Sequence, residues 1–199
     1  FKVISANTDG IVTIVPKKDR GLYNICCEKW CQETNFNLEF TEYKKYIRRD
    51  VNNYVTLKKD DKTKEKGVFV LDSNLQQGID KPILSKALYN YFVHEVPVKD
   101  TVMASTSILD FCVAKRTDDK FINEYHYVED GVKKAKRLQK TLRFYMSTIG
   151  GSLYKKDEEN GKLISYCVDS AVSVLNGDTK KDINEYNINY AYYIKECNK

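Results

Sequence analysis

The stretch Phe1-Lys2-Val3-Ile4-Ser5-Ala6-Asn7-Thr8-Asp9-Gly10-Ile11-Val12-Thr13-Ile14-Val15 decides how the chain is read. Two runs of apolar and β-branched residues flank four residues of turn chemistry. Asn7 and Asp9 can bond their own backbone, and Gly10 tolerates positive φ. Strands joined through such a turn form a hairpin, and Pro16 ends the second strand. Beyond it, Asp19 is placed to cap a helix over residues 20–34, with Leu22, Ile25, Cys26 and Trp30 at near-helical spacing. That helix is expected to pack on one face of the sheet. Residues 36–47 then carry Phe36, Leu38, Phe40, Tyr43 and Tyr46. Residues 50–57 read as a strand, 58–66 as a lysine-rich turn, and 67–70 as a further strand. A hairpin, a helix and an antiparallel pair make an α+β unit.

The character changes after about residue 72. Residues 73–80 are polar, and Pro82 sits in the first turn of a helix running to about His94. Residues 98–104 and 107–112 read as shorter helices. Residues 113–136 read as polar and irregular. A strand follows over 140–149, two more fall within 162–175, and a tyrosine-rich helix closes the chain over 185–199. Two domains are therefore expected, 1–71 and 72–199.

The chain has 199 residues, 42% of them hydrophobic, with three prolines and nine glycines. That composition excludes collagen and a disordered tail. No apolar run approaches the roughly 18 residues that span a bilayer, so no membrane partner is expected. The six cysteines are Cys26, Cys27, Cys31, Cys112, Cys167 and Cys197. Two are adjacent, no C-x-x-C pair is present, and His94 and His126 stand alone, so reduced thiols are expected rather than zinc ligands. The even count leaves one alternative open, a secreted binding or decoy protein with three disulfides.

The net charge of +5 is unevenly spread. Residues 41–66 hold nine basic and five acidic side chains, and residues 132–143 hold six basic and none acidic. Each cluster is either a solvated face or a surface that grips a phosphate backbone.

Several residues together resemble the C-terminal half of the palm of a family B DNA polymerase, of the bacteriophage type. The family's motif C is Tyr-x-Asp-Thr-Asp-Ser at a hairpin tip. Here Ser5-Ala6-Asn7-Thr8-Asp9-Gly10 stands in its place, with Asp9 on the metal-binding second aspartate, Asn7 on the first and Ser5 on the tyrosine. Leu38-Glu39-Phe40 is similar to the strand that follows in the family. Tyr54 falls on the tyrosine of its Lys-Lys-Arg-Tyr motif, with Asn52 in place of a lysine and Arg48 and Arg49 nearby. Lys62, Lys64, Lys66 and Gly67 resemble the lysine-rich turn of phage members, and residues 81–88 resemble the first thumb helix. The resemblance covers residues 1 to about 111 and is looser beyond.

This resemblance implies an antiparallel palm hairpin and strands with a packed helix, then a mixed, partly helical thumb. It implies DNA-directed DNA polymerase activity, with deoxynucleoside triphosphates and primer-template DNA as partners. Two Mg²⁺ (or Mn²⁺) ions would be bound by Asp9 and by an aspartate that this chain lacks. Glu39 is either a supporting carboxylate or an ordinary solvent-facing one. Asn52, Asn53, Tyr54, Arg48, Arg49, Lys64, Lys66 and Gly67 would meet the primer-template duplex. Motif A, the fingers lysine helix and the exonuclease carboxylates are absent, so a missing N-terminal polymerase part is expected to complete the enzyme. The expected setting is a host-cell cytoplasm, for a viral or plasmid replication protein. A non-catalytic DNA-binding module is the other alternative.

Overall fold

The β-branched runs on either side of residues 7–10 pair with each other in the computed structural model, which describes residues 1–7, 9–71, 80–175, 177 and 179–199. The protein is α+β, its described residues forming antiparallel sheets and four α-helices, and it divides into two units, Phe1–Gly67 and Val68–Lys199.

In the first unit, β1 (Lys2–Ala6) pairs antiparallel with β2 (Ile11–Ile14). Val3 lies opposite Thr13 and Ser5 opposite Val12, so Ile4 is an extra residue on the first strand. Such a bulge bends the strand and leaves one residue outside the ladder. Helix α1 (Arg20–Thr34) follows, and Asn35 ends it in the left-handed conformation. The helix meets the hairpin through Tyr23, whose hydroxyl accepts from Thr13 Oγ1 at 3.2 Å and whose ring meets Phe1 edge-on. No residue of α1 is buried, and Leu22 and Ile25 are 60% and 61% exposed.

Residues 35–42 have no regular structure, and β3 (Tyr43–Asp50), β4 (Asn53–Lys58) and β5 (Thr63–Lys66) form a sheet in that order. Two expectations are corrected here. Glu39 lies before the sheet rather than on a strand, and the supposed lysine-rich turn contains a strand, while Gly67–Phe69 is a 3-10 turn. Thr-Lys-Glu-Lys has no apolar residue to reveal its alternation. It pairs because β4 offers an open ladder beside it.

In the second unit, Pro82 opens helix α2 (Pro82–His94) at its first turn, and α3 (Val98–Ala104) follows. Residues 113–136, expected to be irregular, instead hold β6 (Val113–Arg116), β7 (Phe121–Glu129) and most of β8 (Val132–Leu138). The charged residues of β8 fall on both of its faces, which leaves no period-2 pattern to read. Next come β9 (Thr141–Ser147), β10 (Ser152–Asp157), β11 (Leu163–Ser165) and β12 (Ala171–Val174). One sheet runs β12-β9-β6, the other β11-β10-β7-β8. The terminal helix α4 (Tyr190–Cys197) starts five residues later than expected. Asn187 adopts a left-handed conformation after a short 3-10 turn, and the Asn189 side chain then caps the helix. Among the described residues, no helix is long and apolar enough to cross a membrane.

The core of this unit gathers Ile83, Val102, Phe111, Phe144, Leu153 and Tyr193, among others. Tyr193 is fully buried, with its hydroxyl satisfied on both sides. It donates to the Phe111 carbonyl at 2.7 Å and accepts from the Met146 N–H at 2.9 Å. Burial pushes its pKa well above the ordinary tyrosine value. Tyr193→Phe should therefore lower stability by about 1–3 kcal/mol, because a buried N–H and a carbonyl lose their partner. A urea titration of both proteins measures this as a lower midpoint with an unchanged slope.

Candidate functional site

Asp9 is exposed at the hairpin tip. Its N–H donates to Asn7 Oδ1 at 3.1 Å, and the Asn7 N–H donates to the Gly10 carbonyl at 3.0 Å. Asn7 thus shapes the turn that presents Asp9. Thr8 lies outside the described residues.

The bulge at Ile4 has a consequence for this hairpin. Arg48 Nη1 donates to the Ile4 carbonyl at 2.9 Å. A residue outside the ladder needs another partner for its backbone, and a guanidinium on β3 supplies it. The hairpin bearing Asp9 is in this way fastened to the three-stranded sheet.

The register of that sheet sorts its side chains. Arg48 lies opposite Tyr54 and Tyr54 opposite Lys66, while Tyr46 lies opposite Thr56 and Thr56 opposite Lys64. Residues directly opposite share a face. One face therefore carries Arg48, Lys64, Lys66, Tyr46, Tyr54 and the buried Thr56, with the two tyrosine rings stacked at 6.3 Å and 9°. The other face carries Ile47, Val55 and Leu57, of which Val55 is wholly buried.

Ion pairing sorts the same cluster a second time. Lys44 pairs with Asp61 at 2.5 Å, Lys62 with Asp60 at 3.4 Å and Arg49 with Asp50 at 3.2 Å, and Lys59 pairs with Glu42. The Lys59 hydrogen bond, helped by Arg20, holds the Glu42 carboxyl below the usual range. Lys64 and Lys66 have no carboxylate partner among the described residues. Two cations without such a partner thus stand on the face that carries Tyr54.

Asn52, Asn53 and Gly67 are organised by Asp50. Its carboxylate accepts from Asn53 Nδ2 at 2.8 Å and from the Asn52 N–H at 2.8 Å, and these bonds hold it below its ordinary pKa. The Asn53 amide is consumed inside the turn, whereas the Asn52 side chain is exposed. Gly67 has a φ of +65°, and a Cβ there would run into the Asn53 side chain and the Asn52 carbonyl. Glu39 is exposed in the irregular stretch.

The second basic cluster is more nearly neutral than its sequence. Arg137 meets Glu158 at 3.5 Å, Lys140 meets Asp119 at 2.5 Å, and Lys134 pairs with Glu129. All three acids lie outside residues 132–143. A carboxylate that sequence reading passed over, Glu124, accepts from Lys156 at 3.1 Å and sits 2.5 Å from His126 Nε2. His126 and Lys156 hold it below the ordinary glutamate value. Its signal was the alternation of β7, hidden by polar residues on that face.

Among the described residues, no three His, Cys, Asp or Glu side chains cluster to hold a metal. Asp9 offers an exposed hard oxygen donor at a tight turn. That suits an ion bound through one or two carboxylates and completed by substrate phosphates. No family model matches the chain, nor does any curated protein or solved structure.

All six cysteines are free thiols. Burial pushes the Cys112 thiol up to about 12 and the Cys197 thiol up to about 11, while Cys26 is exposed. Thiolate is the reactive form. Alkylation near pH 7.5 should label Cys26 quickly and Cys112 last, and the denatured chain should titrate six thiols. A count of none would point to the disulfide-bonded alternative. Separately, Gly67→Ala should destabilise the first unit by more than about 1 kcal/mol, since an L side chain is strained at this φ. Loss of the Asn53 side-chain amide signal in NMR spectra would report the same disruption locally.

Proposed function

We propose that this chain is the C-terminal palm and thumb portion of a family B DNA polymerase of bacteriophage type, with residues 1–71 in the palm and 72–199 in the thumb. The observation that carries the reading is the Arg48–Ile4 hydrogen bond. It fastens the hairpin displaying Asp9 to a sheet face that displays Tyr54 with Arg48, Lys64 and Lys66. A carboxylate and an uncompensated cationic face belong together where a primer terminus must be held beside reacting phosphates.

Divalent ions held there would supply activation of the primer 3′-OH and charge stabilisation for the in-line displacement. Asp9 would hold them with an aspartate from the missing N-terminal part. Lys64 and Lys66 would grip the DNA backbone irrespective of sequence. The Tyr54 hydroxyl and the Asn52 amide can donate to the minor-groove acceptors that every base pair presents. Asn53 serves the turn, through Asp50, rather than the DNA. Glu39 stands as a supporting carboxylate only if the completed enzyme brings it to the ions.

The exposed apolar surface of the first unit agrees with a missing part. Val3, Ile11, Ile14, Leu22, Ile25 and Phe36 are all more than half exposed. A two-stranded sheet and a fifteen-residue helix are marginal without further packing. The motif A strand, fingers and exonuclease would lie upstream, and the enzyme would act in a host-cell cytoplasm.

The test is made in the completed polymerase. Asp9→Ala should abolish Mg²⁺-dependent nucleotide addition and leave duplex binding intact. Lys64→Ala with Lys66→Ala should weaken duplex binding for all sequences alike, and reduce the salt slope by about one for each phosphate that is no longer gripped. Normal incorporation by Asp9→Ala refutes its role. Duplex binding without any metal dependence would identify a non-catalytic DNA-binding module instead.

A further inference from the structure

The ribbon β7–β8 ends in a two-residue turn, Asp130–Gly131, with φ of 50° and 75°. This is the hairpin turn whose twist matches the strands, and it sets the parity of the ladder. Glu129 and Val132 flank it as a hydrogen-bonded pair, so Tyr127 with Lys134 and Tyr125 with Lys136 are bonded pairs too. Lys133, Ala135 and Arg137 therefore turn their backbone N–H and C=O groups away from β7. Strand β8 is last in its sheet, and residues 132–137 are exposed throughout. Its register against β7 runs without a shift, and it contains no proline. The outer edge is regular and open.

Such an edge is a template for another strand. Lysines there keep two copies of one chain apart, because like charges would lie opposite each other. The same lysines favour an acidic strand. Lys133 projects to one face and Lys136 to the other, and neither has a carboxylate partner among the described residues. A cleft of about 770 Å³, lined in part by Lys133, Ala135, Val168 and Ser170, borders the edge and leaves room for side chains.

We propose that the outer edge of β8 binds an extended acidic peptide segment by strand addition. The backbone of Lys133, Ala135 and Arg137 supplies the hydrogen bonds, and Lys133 and Lys136 meet carboxylates on alternate faces. A nucleic acid could use these charges but not the row of backbone groups, and it is the open ladder that favours a peptide. This site is separate from the proposed nucleotide chemistry and stands whether or not that reading does.

The full chain is titrated with a fluorescent peptide of about nine residues that alternates glutamate and valine. Saturable binding is expected, with exchange of the Lys133, Ala135 and Arg137 amides slowed about tenfold or more. Ala135→Pro removes only an outward N–H, and it should cost the peptide about tenfold or more in affinity. Lys133→Glu combined with Lys136→Glu should do the same without changing the circular dichroism spectrum. Peptide binding that survives Ala135→Pro, or that shows no amide protection, overturns the proposal. So does a preference for a short DNA duplex that Ala135→Pro leaves unaltered. If the proline variant does not fold, amide protection in the parent chain and the charge-reversed pair decide the matter.

Discussion

Arg48 reaches across 44 residues of sequence to donate one hydrogen bond to the Ile4 carbonyl. The bulge takes Ile4 out of step with β2, and a backbone carbonyl beside a hairpin tip needs a donor. Arg48 supplies it without leaving its own row, where it stands opposite Tyr54. A long, planar, permanently charged side chain suits this double duty, since it offers several donors in a fixed fork. One interaction accordingly decides where the Asp9 carboxylate stands with respect to the cationic face.

Charge on this protein is distributed by pairing more than by composition. In the first unit Lys44, Arg49, Lys59 and Lys62 are each met by an acid, whereas Lys64 and Lys66 are among the lysines with no carboxylate partner among the described residues. In the second, acids from β7, from the turn after β10 and from the loop before β7 meet Lys134, Arg137 and Lys140 of the cluster at 132–143. Exposed pairs of this kind contribute little to stability. Their larger effect is local, since a cation beside a carboxylate attracts an anionic partner less than an unpaired one does.

The two units also differ in how they are held. The second has a continuous core with Tyr193 inside it, bonded to two other elements. In the first, Val55 and Thr56 are the buried residues among those described, and the helix and hairpin turn apolar side chains to solvent. Apolar patches larger than a few hundred Å² are uncommon on stable monomers and mark surfaces that another chain or segment covers.

Local chemistry made the hairpin, α1 and α2 legible: turn residues at 7–10, a helical period after Asp19, whose side chain makes no capping hydrogen bond, and Pro82 at a first turn. The sequence by itself determined these because each is settled by interactions among residues a few places apart. The resemblance to a polymerase motif singled out Asp9, and the turn leaves that side chain exposed. The sequence concealed β5 and β8, whose residues are mostly polar, and the resemblance placed Glu39 on a strand that does not form. Only the tertiary structure decided which lysines remain uncompensated, that Asn53 is spent on Asp50, and that Arg48 closes the gap at Ile4. Those outcomes rest on partners distant in the chain, and a sequence period records which face a side chain takes but not which group arrives to meet it.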